Sequence, residues 1–166
     1  VLEQYHQQKA PDPLPAPEGF SGQLRPYQER GLGWLAFLHR FDQGACLADD
    51  MGLGKTPTAL AHIQSRYSDK PTLVICPLSV VHNWEQEVSQ FTPDLEVLIL
   101  HGAKRPTGDE LLERATSVNI VISTYGTATR DIENLSKIHW DLVVCDEAQF
   151  IKNHQTNAAI AIRELT

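Results

Sequence analysis

The chain has no apolar run near the roughly 18–20 residues that a helix needs to cross a bilayer, so it offers no candidate transmembrane segment. Its start, VLEQYHQQKAPDPLPAPEGF, lacks the basic stretch followed by an apolar one that marks a signal peptide. Positive charge is also scarce. Fourteen Lys and Arg face 21 Asp and Glu, for a net charge of −7. The basic residues Arg25, Arg30, Arg40, Lys104, Arg105, Arg130 and Lys152 are scattered, so there is no basic domain of the kind that nucleic-acid-binding modules often show. Any nucleic-acid contact must come from a local patch. Cysteine is limited to Cys46, Cys76 and Cys145, at spacings that fit no common zinc or redox motif. Each lies in or at the end of an apolar, β-like run. That predicts three small buried thiols and suits a reducing, intracellular compartment.

What is present suffices for one domain with a sizeable core: 166 residues, 42% hydrophobic and 21% charged. Residues 10–19, APDPLPAPEG, alternate proline with other residues, which favours extended polyproline geometry. Residues 1–21 therefore read as a proline-rich linker or surface strap, with residues 1–9 suited to the end of an upstream helix. The pattern then changes. RPYQERGLGWLAFLHRF places Tyr27, Leu32, Leu35 and Leu38 near helical spacing, with Pro26 in a first turn.

Beyond it, strand-like and helix-like segments alternate. Strands are predicted over 45–48, 72–76, 96–100, 119–123 and 141–145, and helices over 56–67, 79–91, 109–115, 125–135 and 157–165. The strand runs TLVIC, VLIL, NIVIS and LVVC are apolar throughout, as in strands buried on both faces. This order predicts an α/β fold with a mainly parallel central sheet covered by helices on both sides. In such sheets ligands bind at the carboxyl ends of the strands.

The stretch ACLADDMGLGKTPTAL, residues 45–60, concentrates the chemistry. A glycine-bearing loop between a strand and a helix can wrap a phosphate with backbone N–H groups. The helix that follows points its positive dipole end at the anion. Asp50, Met51, Gly52, Leu53, Gly54, Lys55 and Thr56 form the candidate phosphate loop. Lys55 is placed to reach the β- and γ-phosphates, and the Thr56 hydroxyl to take one position on Mg²⁺. The strict loop pattern has glycine at position 49, where this chain has Asp49. Pro57 is tolerable because a first-turn N–H has no helical partner.

A carboxylate at a neighbouring strand end has to complete the magnesium site, and DLVVCDEAQ supplies one. Asp146 is the candidate Mg²⁺ residue, directly or through water, and Glu147 the group that polarises the attacking water. This pair points to nucleotide hydrolysis rather than storage. The Asn-Lys-x-Asp guanine reader of GTPases is absent, which favours ATP.

In order and approximate spacing, LRPYQ, DDMGLGKT, LVICPLSVVHNWEQEV, VISTYGT and DEAQFIKN resemble the motifs of the Snf2 family of helicase superfamily 2. The resemblance covers about residues 22–166. It implies a three-layer RecA-like ATPase domain, the first lobe of a motor that translocates on double-stranded DNA and remodels protein–DNA complexes. It also implies ATP and Mg²⁺ as cofactors, a second RecA-like lobe as intramolecular partner, no membrane, and an intracellular location, nucleoid-associated or nuclear.

By the same resemblance Gln28 reads adenine through its amide. Gly52, Gly54, Lys55 and Thr56 match the phosphate loop, and Asp146 and Glu147 the hydrolysis pair. Ser79, Asn83, Thr124 and Tyr125 fall in segments that face the DNA backbone, where short polar groups at strand ends suit phosphate contact without base reading. For Ser79 and Asn83, capping of the next helix stays open. So does core packing for Trp84. Lys104 and Arg105 are open between a phosphate contact and a solvated loop.

Two departures stand out. The family commonly has DEAH, and here Gln149 replaces the histidine; Pro57 is also unusual. The second lobe supplies arginines that stabilise the transition state, so this lobe alone is expected to turn over ATP barely, if at all. A nucleotide-sensing regulatory module and an RNA helicase lobe are the alternative readings.

Overall fold

The computed structural model describes residues 11–48, 54–66, 68–153 and 155–165. They group into two compact units, divided between Arg66 and Tyr67. The strap belongs to the first unit together with the first two helices.

In the first unit, α1 spans Pro26–Arg40 and α2 spans Lys55–Ser65, and the two pack on each other. Pro26 is the first residue of α1, where its fixed φ is already helical and its missing N–H costs nothing. Leu24, Leu32 and Ala61 form a small core with Ala16 and Phe20 of the strap against it. The strap is thus docked rather than free. The Leu14 N–H donates to the Glu29 carbonyl (3.0 Å). A Cβ on Gly33 would collide with the Asp12 carbonyl oxygen, so glycine is what lets the strap lie along the helix. Residues 45–48, predicted as a strand, are mostly exposed and carry no strand. A strand needs a ladder partner, and none pairs with this run among the described residues.

The second unit is built on four strands, β1 (Thr72–Cys76), β2 (Val97–Leu100), β3 (Ile120–Thr124) and β4 (Leu142–Cys145). All pair in parallel in the order β2-β3-β1-β4. Every residue of β1 and β3 is buried, as an unbroken apolar run predicts for central strands. By contrast β4 is partly exposed along its whole length and β2 at alternate positions, because each has a strand on one side only. Register runs Leu73↔Val121 and Leu73↔Val143, so at the carboxyl ends Cys76 of β1 lies beside Thr124 of β3 and Ile75 beside Cys145 of β4.

The helices of this unit are α3 (Val81–Phe91), preceded by a 3₁₀ turn over Leu78–Val80, then α4 (Gly108–Thr116), α5 (Tyr125–Arg130), α6 (Ile132–Leu135) and α7 (Asn157–Arg163). Leu73, Ile75, Leu98, Leu100 and Val121 of the sheet share one core with Leu111, Ala115, Leu135 and Ile162 of the helices. The helix predicted over 125–135 is broken at Asp131. Its buried carboxylate takes a two-pronged ion pair from Arg105, Nε to Oδ2 at 2.7 Å and Nη2 to Oδ1 at 2.8 Å. Arg105 is therefore committed to a structural pair, while Lys104 is exposed.

All three cysteines are free thiols, but only one is fully buried. Cys76 sits at the end of β1 with its thiol pushed up to about 12, by burial first and then by the charge of Asp146. Burial pushes Cys145 up to about 11. Cys46, expected to be buried in a strand, is exposed. Thiolate is the reactive form, so both raised thiols stay almost wholly protonated and unreactive at pH 8. Brief iodoacetamide treatment at pH 8 is expected to modify Cys46 in the folded protein and the other two only after unfolding. Peptide mapping checks this; equal labelling of all three in the native state would contradict it.

Candidate functional site

The first set of site residues lies where α2 begins. Gly54 precedes the helix with φ 73° and ψ 47°, a left-handed conformation that glycine adopts at little cost. Its carbonyl accepts two side-chain bonds, from Gln28 Nε2 (3.0 Å) and from Thr58 Oγ1 (3.2 Å). Gln28 is buried on α1, and its Oε1 accepts the Arg25 backbone N–H (2.8 Å). The backbone conformation of Gly54 demands glycine here, and a Cβ would also lie 2.6 Å from Gln28 Nε2 and displace that amide. Gln28 is thereby tied to the residue just before Lys55. An amide has two N–H donors and two acceptor lone pairs on its oxygen. Among the described residues Gln28 spends one of each, which leaves one donor and one acceptor, the pair that the N7 and N6 edge of adenine accepts and donates.

Lys55 and Thr56 form the first turn of α2, where N–H groups have no helical partner. Pro57 is the third helical residue and still within that set. Its missing N–H therefore removes no helical bond, and α2 starts undisturbed at Lys55. Asp50, Met51, Gly52 and Leu53, together with Asp49, lie outside the described residues.

The second set lies at the carboxyl ends of β1, β3 and β4. The Asp146 N–H continues the β1–β4 ladder by donating to the Ile75 carbonyl (2.9 Å). Its side chain is held on both oxygens: Oδ1 accepts the Glu147 backbone N–H (2.9 Å) and Oδ2 accepts the Trp84 indole N–H (2.9 Å). Its carbonyl accepts the Tyr125 hydroxyl (2.7 Å). Each carboxylate oxygen keeps lone-pair capacity after these bonds. A hard, charged oxygen donor of this kind fits a divalent cation such as Mg²⁺.

Glu147 has φ 52°, one of two described non-glycine residues with positive φ. Such a conformation costs a bulky residue about 1–3 kcal/mol and persists where surroundings impose it. Gln149 donates from Nε2 to Glu147 Oε2, so the residue that replaces the family's histidine orients the glutamate through a neutral amide. Glu87 on α3 lies one turn beyond Trp84, on the same helix face. Its carboxyl is raised by burial and then by the charge of Asp146.

The four residues expected at a DNA track differ from one another. Ser79 and Asn83 are exposed, and neither caps α3, whose N-cap is Val80 without a side-chain bond. Asn83 Nδ2 instead donates to Glu87 Oε1 (3.4 Å). Thr124 is buried and caps α5, its Oγ1 accepting the Thr127 N–H (3.2 Å). Tyr125 is only 7% exposed, which leaves its side chain little surface for a backbone phosphate. Its ring stacks on Phe150 (5.5 Å between centroids), and burial raises its hydroxyl, so it stays a proton donor at neutral pH. Trp84 is 3% exposed, as core packing predicts, yet its N–H bond to Asp146 spans 62 positions and has no local signature in the sequence.

An all-parallel α/β sheet with an acidic pair at a strand tip, and a glycine–lysine–threonine run opening a helix, defines an ATPase core of the RecA-like kind. The chain belongs to the SNF2-related domain family, whose model matches residues 27–166. It is similar to the Bacillus subtilis protein YwqA, a candidate ATP-dependent helicase/translocase, at 44% identity over 88% of this chain and 16% of that protein. It is also similar to the ISWI chromatin-remodeling complex ATPase ISW1 of Saccharomyces cerevisiae, at 37% identity over 91% of this chain and 14% of the relative. Among solved structures it resembles the Sulfolobus solfataricus SWI2/SNF2 ATPase core in complex with double-stranded DNA. The TM-score there is 0.80 at 38% identity, covering 96% of this chain and 32% of that one. The chain thus spans a minor part of each of these proteins.

Proposed function

We propose that this chain is the ATP-binding first lobe of a double-stranded DNA translocase, one that couples ATP hydrolysis to remodelling of protein–DNA complexes. The observation that carries the reading is the acidic pair. Asp146 is held at the tip of β4 by three donors, and Glu147 follows in a strained conformation with its carboxylate oriented by Gln149. A storage or sensing site has no need of a positioned base.

Each residue then has a role. Gln28 reads the adenine edge with its unused donor and acceptor. Gly54, with Asp50, Met51, Gly52 and Leu53, presents backbone N–H groups to phosphate, and Lys55 holds the β- and γ-phosphates by charge. Thr56 and Asp146 are the residues that would hold Mg²⁺. When bound, the ion neutralises charge on the phosphate oxygens. Glu147 orients a water and accepts its proton as the water attacks the γ-phosphorus, the bond to the β–γ bridging oxygen breaks, and ADP and phosphate leave. Ser79 and Asn83, exposed after β1, and the backbone N–H groups around Thr124 are the DNA-facing candidates. The fold of the DNA-bound Sulfolobus relative supports a duplex as the track.

The test is ATP turnover by the full-length protein with and without nucleic acid. Double-stranded DNA is expected to raise turnover without strand separation. Bound ATP with no turnover under any condition would favour a sensing module. Stimulation by RNA with duplex unwinding would favour an RNA helicase.

A further inference from the structure

We propose that Trp84 is a positioning residue for Asp146, its indole N–H fixing the carboxylate rotamer in which Asp146 meets the metal. The inference rests on the reading of Asp146 as the residue that holds Mg²⁺. A carboxylate has two-fold freedom about its last torsion, and at the end of an edge strand little packing limits it. Here two donors restrict that freedom, and a third fixes the backbone beneath it. The Glu147 N–H holds Oδ1, the Trp84 N–H holds Oδ2, and the Tyr125 hydroxyl anchors the backbone carbonyl.

The Glu147 bond is local and moves with the chain. Trp84 is the external reference, because its ring is buried on α3 and only its N–H reaches out. Indole is a donor only, so this bond cannot reverse, and it competes with no proton on the carboxylate. A tryptophan that served packing alone would satisfy its N–H on any nearby carbonyl or on water.

Partners of this kind, one step removed from a metal, are worth about 10–100-fold in metal affinity. The experiment uses the full-length protein with ADP and Mn²⁺, read by electron paramagnetic resonance, so turnover is not involved. Trp84→Phe keeps the ring and deletes the N–H, and is expected to weaken Mn²⁺ binding by about tenfold or more. ADP affinity without metal should be unchanged. A second measurement avoids the risk that the variant packs badly. In indole-¹⁵N-labelled protein, the Trp84 N–H resonance should sit downfield and move upfield in Asp146→Asn.

Asp146→Asn also separates two kinds of failure. If it leaves Mn²⁺ affinity intact, the metal reading of Asp146 is wrong. If it weakens affinity while Trp84→Phe does not, or if the indole resonance ignores Asp146, the metal reading stands and the positioning role is lost.

Discussion

Glu147→Gln in the full-length protein is expected to lower ATP turnover by about 10²–10⁴-fold, the range that a positioned general base contributes, with ATP binding retained. The substitution is close to isosteric. The backbone N–H that holds Asp146 Oδ1 is unchanged, and a glutamine oxygen can still accept the amide of Gln149. What disappears is the capacity to take a proton from water. Single-turnover phosphate release measures the loss, and equilibrium binding of a fluorescent ATP analogue checks that the nucleotide still enters. Undiminished turnover would remove Glu147 from the chemistry and revive the sensing alternative.

The 166-residue chain alone is expected to hydrolyse ATP about 10³–10⁵-fold more slowly than the full-length protein. This is the loss expected when arginines that stabilise the transition state are missing. It corresponds to about 4–7 kcal/mol of barrier. The Snf2 resemblance assigns those arginines to a second lobe, and the chain spans only 14–16% of the two relatives compared above. Steady-state phosphate release with and without double-stranded DNA provides the measurement. Vigorous, DNA-stimulated turnover by the isolated chain would show that the machinery is complete within it.

The four strands of the sheet were legible to within one residue at each end. Runs such as TLVIC and LVVC are apolar, β-branched and bounded by proline, aspartate or glycine, and that signal is local. The run at 45–48 carries a similar signal and forms no strand, since strand formation depends on a distant partner that composition does not encode. Helix α2 starts at Lys55, one residue before the predicted start, and Pro57 falls in its first turn, where the sequence placed it. The helix predicted over 125–135 divides at Asp131, and the partner of that carboxylate, Arg105, lies 26 positions away, beyond any local pattern.

The site divides along the same line. By itself the sequence determined the chemical inventory: a glycine–lysine–threonine run before a helix, an acidic pair after a strand, a glutamine on the first helix, and the order of motifs that places the chain in its family. These are short-range patterns, because each needs particular residue types at fixed offsets. Only the tertiary structure decided that Gln28 is bonded to the carbonyl of Gly54, that Tyr125 is buried with its hydroxyl on Asp146, and that Trp84 aims its one donor at a carboxylate. A hydrogen bond depends on direction within a few tenths of an ångström. Direction between residues 26, 21 or 62 positions apart exists only once the helices and strands between them have packed.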